Sequence, residues 1–181
     1  LEEKKYILLS AHREENIDDE GHSLSLMRAI NDIAETYDMP VVYSTHPRSR
    51  KFIEQRAFRF HPNVRSLEPF GFFDYNRLQL SSYCVLSDSG TLSEESAMLD
   101  FPAVLIRTST ERPEALDAGT IVLGGVTRKS VEQAMALAVS MFENNEPTAM
   151  PDDYQDVNVS VKVVKIIESY ADIVMRTTWG R

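Results

Sequence analysis

Four polar segments each follow an apolar run and carry side chains able to do chemistry. They are His12-Arg13-Glu14-Glu15-Asn16, Thr45-His46-Pro47-Arg48, Asp88-Ser89-Gly90-Thr91, and Arg107 through Glu114. An imidazole beside a guanidinium, as in His12-Arg13, suits phosphate oxygens and charge developing on a leaving group. His46 ends another run in the same way, with Pro47 fixing the adjoining backbone; a hydrogen-bonded structural histidine is the alternative there. Gly90 lets the backbone approach a ligand, and a helix starting there turns its N–H groups toward an anion. Glu94 and Glu95 follow in the first turns, where one of them can reach a sugar diol. The same stretch also reads as an Asp or Ser cap with acids well placed in the first helical turn.

Arg107 and Arg112 flank Thr-Ser-Thr-Glu and can either clamp an anion or order their loop through Glu111. Tyr75 follows Phe70, Phe72 and Phe73 and can stack on a base, although aromatic clusters belong more often to a core. Cys84, the single cysteine, sits inside an apolar run and reads as a small buried residue. His22 and His61 lie in polar loops without an assigned role. The four histidines have no short paired spacing, so no metal site is expected. Neither a phosphate-loop motif nor Gly-x-Gly-x-x-Gly nor Gly-x-Ser-x-Gly occurs.

Positioning these segments requires alternating strands and helices, which the hydrophobic periodicity supplies. Strands are expected at Tyr6–Ser10, Pro40–Ser44, Val64–Leu67, Cys84–Ser87, Ala103–Ile106 and Thr120–Leu123. Helices are expected at Leu24–Tyr37, with Leu24, Met27, Ile30, Ala34 and Tyr37 on one face, and at Arg48–Ala57 and Leu92–Leu99. A turn or two is expected over Asp74–Leu80, and a further helix at Ser130–Phe142, with Val131, Met135, Ala138 and Phe142 on one side. This alternation implies a doubly wound parallel α/β sheet of Rossmann-like type, whose crevice lies beyond the carboxyl ends of the strands. Residues 144–156 read as a connector. A last amphipathic helix then begins around Val157, with Val161 and Val164 in its stripe, dividing the chain into 1–156 and 157–181.

The 181 residues suffice for one well-cored domain. With 43% hydrophobic and 26% charged residues, the composition excludes a disordered or collagen-like chain. Lys plus Arg number 19 against 28 Asp plus Glu, a formal charge of −9, which argues against nucleic-acid or acidic-membrane partners. No apolar run is long enough to span a membrane. The single cysteine fits a reducing cytoplasm. Opening on Leu-Glu-Glu without Met, the chain reads as a piece of a longer protein.

In order and spacing, the four segments together resemble the carboxyl-terminal half of the non-hydrolysing UDP-N-acetylglucosamine 2-epimerase family, a two-domain enzyme of glycosyltransferase-B architecture. The resemblance rests on His12-Arg13-Glu14-Glu15-Asn16, Thr45-His46-Pro47, Ser87-Asp88-Ser89-Gly90 with Glu94-Glu95, Arg107 with Thr110-Glu111-Arg112-Pro113-Glu114, and Ala118-Gly119-Thr120. It implies an isomerase that removes UDP by anti elimination, leaving a glycal, and re-adds it with C2 inverted. By the same resemblance, His12 is the active-site histidine near the diphosphate and Ser89 and Gly90 form the diphosphate turn. Glu95 would bond the ribose hydroxyls and Tyr75 would lie beside the uracil. Arg13 and His46 resemble contacts to a second, activating UDP-sugar, and Arg107 and Arg112 are further candidates for phosphate or activator contacts.

The chain departs from the family at Gly90-Thr91, where a double glycine is usual. The segments His46-Pro47-Arg48-Ser49-Arg50 and Glu68 through Tyr75 are similar to a branch acting on 6-deoxy UDP-N-acetylhexosamines, ending in UDP-N-acetyl-L-fucosamine. The family implies no metal and no separate cofactor. Its partners would be UDP, a UDP-N-acetylhexosamine and a preceding nucleotide-fold domain that supplies the base at C2, in cytoplasmic synthesis of surface polysaccharide. The chain alone is therefore expected to be inactive, with the last helix packing toward that domain and, in its absence, open to self-association as a homodimer. Two rivals stand beside this reading. One is a glycosyltransferase of the same architecture, which generally lacks His-Arg-x-Glu-Asn and Thr-Glu-Arg-Pro-Glu; the other is a non-catalytic flavodoxin-like module.

Overall fold

The computed structural model describes residues 1–13, 20–146 and 148–180. Glu14, Glu15 and Asn16, singled out above, lie outside the described residues. The apolar runs become six parallel strands: β1 (Ile7–Ser10), β2 (Val41–Ser44), β3 (Val64–Leu67), β4 (Cys84–Ser87), β5 (Ala103–Leu105) and β6 (Val122–Leu123). Their spatial order is β3-β2-β1-β4-β5-β6. Ile7 pairs in register with Val41 on one side and Cys84 on the other, which puts β1 and β4 at the centre. The expected doubly wound parallel sheet is the architecture found.

Continuous apolar runs form the central strands because both sheet faces are covered. Ile7, Leu8 and Leu9 are all fully buried, as are Cys84 and Val85. Burial pushes the Cys84 thiol up to about 12, so it stays protonated and inert. On one face Ile7, Leu9, Val41, Tyr43, Leu86 and Val104 share a core with residues of α1 (Glu20–Tyr37) and α6 (Arg128–Glu143). Each aliphatic side chain so buried contributes roughly 1.5–3 kcal/mol. The α1 stripe differs from the expected one: Leu26, Met27, Ile30, Ile33 and Ala34 are buried, whereas Leu24 is only half-buried. On α6, Ala134 and Val139 join Val131, Met135 and Ala138, and Phe142 lies 36% exposed. Thr127 and Ser130 close a capping box that starts α6. Gly124 is required ahead of it, since a Cβ there would meet Val104 at 2.5 Å.

The remaining helices of the sheet unit are α2 (Pro47–Gln55), α3 (Phe72–Ser81), α4 (Leu92–Leu99) and α5 (Pro113–Asp117). The last is a single turn that periodicity cannot reveal. α3 runs longer than the expected turn or two, and its start overturns the core reading of the aromatic stretch: Phe72 is 73% and Phe73 84% exposed. Two compact units are present, Leu1–Pro151 and Asp152–Arg181. The second contains a 3-10 turn (Asp152–Tyr154) and α7 (Val159–Thr178). Val157 precedes α7 rather than belonging to it, and Val161, Val164, Ile166, Ile167 and Trp179 are exposed. Among the described residues, no helix is long and apolar enough to cross a membrane.

Candidate functional site

The chain leaves β1 toward β2 and β3 on one side of the sheet, then returns to β4 on the other. The loops after β1 and β4 therefore part at the switch point, which opens a crevice at their carboxyl ends. Asp88, at the end of β4, is fully buried and reaches across this opening. Its Oδ2 accepts the backbone N–H groups of both His12 and Arg13, each at 2.9 Å. Its Oδ1 lies 3.5 Å from His12 Nδ1. One buried carboxylate thus fixes the β1 loop through two backbone bonds and faces the Nδ1 side of the imidazole. The sequence offered Asp88 as a cap for α4. Instead Thr91 occupies the N-cap without a side-chain hydrogen bond, and Asp88 belongs to the neighbouring strand's loop.

A second layer holds the same loop from behind. The Ala11 carbonyl accepts from the Tyr43 hydroxyl at 2.9 Å and from Ser49 Oγ at 2.7 Å. Burial raises the Tyr43 phenol well above its ordinary value, so it remains a donor. His46 caps α2 by accepting the Arg48 N–H on Nδ1 at 3.3 Å, and Pro47 supplies the first helical position. Its ring lies 5.5 Å from that of His12. The structural role and the crevice position thus coincide in His46.

The Ser89-Gly90-Thr91 turn forms the opposite wall. Arg13 lies against it: a Cβ on Gly90 would sit 3.4 Å from Nη2 of Arg13. The Ser89 N–H donates to Ser87 Oγ at 3.1 Å, and Ser89 Oγ and Thr91 Oγ1 are 3.0 Å apart. Arg13 also approaches Glu111 at 3.4 Å. Arg107, only 2% exposed, grips Glu111 with both Nη groups at 2.6 and 2.8 Å. Those bonds, with the Arg107 charge, hold the Glu111 carboxyl down to about 2. Arg112 donates from Nε to Glu94 at 2.7 Å. Of the two uses offered for these arginines, the structure displays the loop-ordering one.

The arginine on Glu94 also separates the two glutamates. Glu94 is tied back to the β5 loop, whereas Glu95 accepts from Gln79 Nε2, in the last turn of α3, at 2.6 Å. Tyr75 is half-buried, with Ser10 and Ser87 at the ends of β1 and β4 near its hydroxyl. Burial, with Glu95 adding to it, pushes its phenol up to about 12. His12, Arg13, His46, Ser89, Gly90, Arg107 and Tyr75 are thus gathered at one end of the sheet. Asp88 was singled out by sequence reasoning only within its turn and as a cap, so its role was missed, and Gln79 was missed altogether. Asp88 had the signal of ending an apolar run, and Gln79 stands one helical turn after Tyr75, on the same face. Among the described residues, no group of three His, Cys, Asp or Glu side chains is placed to hold a metal.

A six-stranded parallel sheet in 3-2-1-4-5-6 order, with its polar cluster at the β1/β4 switch point, defines a Rossmann-like α/β domain of the glycosyltransferase-B type. The sequence profile of UDP-N-acetylglucosamine 2-epimerase matches residues 1–168, and the chain belongs to that family. A UDP-N-acetylglucosamine 2-epimerase of Bacillus subtilis is 32% identical over 167 residues, covering 90% of this chain and 43% of the relative. The solved UDP-N-acetylglucosamine 2-epimerase of Rickettsia bellii superimposes with a TM-score of 0.81 at 33% identity, over 100% of this chain and 48% of that one. The Methanocaldococcus jannaschii enzyme, crystallised with UDP-GlcNAc and UDP, gives 0.79 at 26% identity, over 91% and 45%. The chain spans less than half the length of these relatives.

Proposed function

We propose that this chain is the UDP-binding half of a UDP-N-acetylhexosamine 2-epimerase. The observation that carries the reading is the Asp88 bridge, which brings an imidazole and a guanidinium onto the Ser89-Gly90-Thr91 turn. A departing diphosphate needs preorganised positive potential, and His12, Arg13 and the start of α4 supply it together. In this reading Ser89 and Gly90 hold the diphosphate, Glu95 takes the ribose hydroxyls and Tyr75 borders the uracil. Arg13 and His46 face the side where a second UDP-sugar would add its phosphates, with Arg107 and Arg112 ordering that wall through Glu111 and Glu94.

His12 stabilises the leaving UDP during anti elimination and its return to the glycal with C2 inverted. The base at C2 must stand within hydrogen-bond reach of the proton. Glu95 is committed to the ribose, and Glu94 and Glu111 are held by arginines. As the family resemblance implies, the base comes from a preceding nucleotide-fold domain, against which the last helix packs, in a cytoplasmic pathway to surface polysaccharide. The His46–Arg50 and Glu68–Tyr75 segments favour a 6-deoxy UDP-N-acetylhexosamine as substrate. The family match favours this over a transferase, which would also require an acceptor.

Calorimetry tests the binding half of the reading. UDP should bind this chain saturably, and Glu95→Ala should weaken it about tenfold or more, since hydrogen bonds to a charged group are worth about 1.5–3 kcal/mol. Parent-like binding by Glu95→Ala would overturn the assignment. Exchange at C2 in heavy water, followed by NMR, tests the chemical half: no exchange above the protein-free rate is expected from the 181 residues alone.

A further inference from the structure

Gln79 is a fully buried amide at the C-terminal end of α3, facing α4. Its Nε2 donates to Glu95 Oε2 at 2.6 Å, while its Oε1 is buried with no hydrogen-bond partner among the described residues. The amide cannot be turned round, because a carboxylate only accepts and would be repelled by the carbonyl oxygen. The side chain is not needed to finish the helix either. The backbone carbonyl of Gln79 already accepts from the Ser82 N–H at 3.2 Å and from Ser82 Oγ at 2.8 Å. A methionine or leucine would fill the same volume without an unpaired carbonyl, so for stability alone the amide is a poor choice.

We propose that Gln79 is a positioning residue for Glu95 and thereby sets the preference of this site for a ribonucleotide over a deoxyribonucleotide. This rests on the reading of Glu95 as the ribose ligand. Glu95 is half-buried in the first turn of α4, where an unheld carboxylate samples several rotamers. Gln79 fixes Oε2 from behind and turns Oε1, with the second lone pair of Oε2, toward a vicinal diol. Tyr75, one turn earlier on the same helix, lies near Ser10 and Ser87, and the Tyr6 hydroxyl, just ahead of β1, donates to the Leu78 carbonyl of α3 at 2.7 Å. The helix that carries the amide is thus tied to β1 and lies beside the same switch point as the diphosphate turn.

Calorimetry of the chain with UDP and with 2′,3′-dideoxy-UDP, for the parent, Glu95→Ala, Gln79→Met and Gln79→Leu, decides the matter. In both Gln79 variants UDP should weaken on the order of fivefold, the worth of one ordinary hydrogen bond, and dideoxy-UDP should bind as in the parent. Thermal melting should show both variants folded. An equal loss for the two nucleotides, unchanged UDP binding while Glu95→Ala has lost it, or unfolding of both variants would assign Gln79 a purely structural role and overturn the proposal. Parent-like UDP binding by Glu95→Ala, by contrast, would remove the ribose reading itself and the role of Gln79 with it.

Discussion

The strand-end crevice and the last helix invert the ordinary rule of burial in opposite directions. In the crevice, Asp88 and Gln79 are fully buried and Arg107 is 2% exposed. In α7, Ile166 and Ile167 lie 59% and 57% exposed, and Trp179 beyond it 68%. Buried polar groups are costly unless paired, and each of these residues has a named partner in the same unit, although the Gln79 carbonyl oxygen is left over. An exposed apolar stripe costs nothing in hydrogen bonds but leaves hydrophobic surface in water. The polar residues of the crevice are therefore held by bonds among the described residues, whereas the helix leaves its apolar stripe exposed.

The largest effect is expected where the crevice carries its buried charge. Asp88→Ala removes the acceptor of two backbone N–H groups and should cost about 3 kcal/mol, read as a lower urea midpoint with an unchanged slope. Asp88→Asn keeps one oxygen acceptor and should cost less. An unshifted midpoint for the alanine variant would mean that the β1 loop is anchored by something else.

Next in size is a pH effect at Glu111. Its folded pKa lies below the ordinary carboxylate value, near 2. The Arg107–Glu111 contribution is accordingly present above the unfolded value and lost as pH falls through about 2. The parent should lose stability between roughly pH 4.5 and 2 more steeply than Glu111→Gln, in acid titrations followed by circular dichroism. Identical acid limbs would separate Arg107 from the loop's stability.

On the helix the expectation reverses, with association changing and stability not. The parent chain should associate as its concentration rises, and Val164→Lys with Ile167→Lys should abolish this in sedimentation velocity. The unfolding free energy from urea titration should stay within about 0.5 kcal/mol of the parent, because both positions are exposed. A monomeric parent at high concentration would show that the stripe is too weak to pair. Smallest of all, Phe73→Ser should change the unfolding free energy by no more than about 0.5 kcal/mol, whereas a core phenylalanine would cost ~3–5 kcal/mol.

The order of elements was legible because each central strand is an unbroken apolar run and each long helix keeps its period. The bounds of β4 and α4 follow from the sequence without correction. The exposed Phe72 and Phe73 were misread because composition cannot say which side of α3 meets the sheet. The single turn α5 was missed because five residues carry no period.

The sequence by itself determined the doubly wound class, the placing of His12, His46, Ser89 and Arg107 at strand ends, and the family the chain belongs to. The first two follow from local pattern, that is apolar runs, turn residues and their spacing, and the third from the resemblance of the strand-end motifs to that family. Only the tertiary structure decided that Asp88 serves the β1 loop rather than its own helix. It alone tied Glu94 to Arg112 and Glu95 to Gln79. These choices depend on the parallel register that sets Ser10 beside Ser87. Contacts between residues some 75 positions apart follow from that register and leave no periodic trace in the chain.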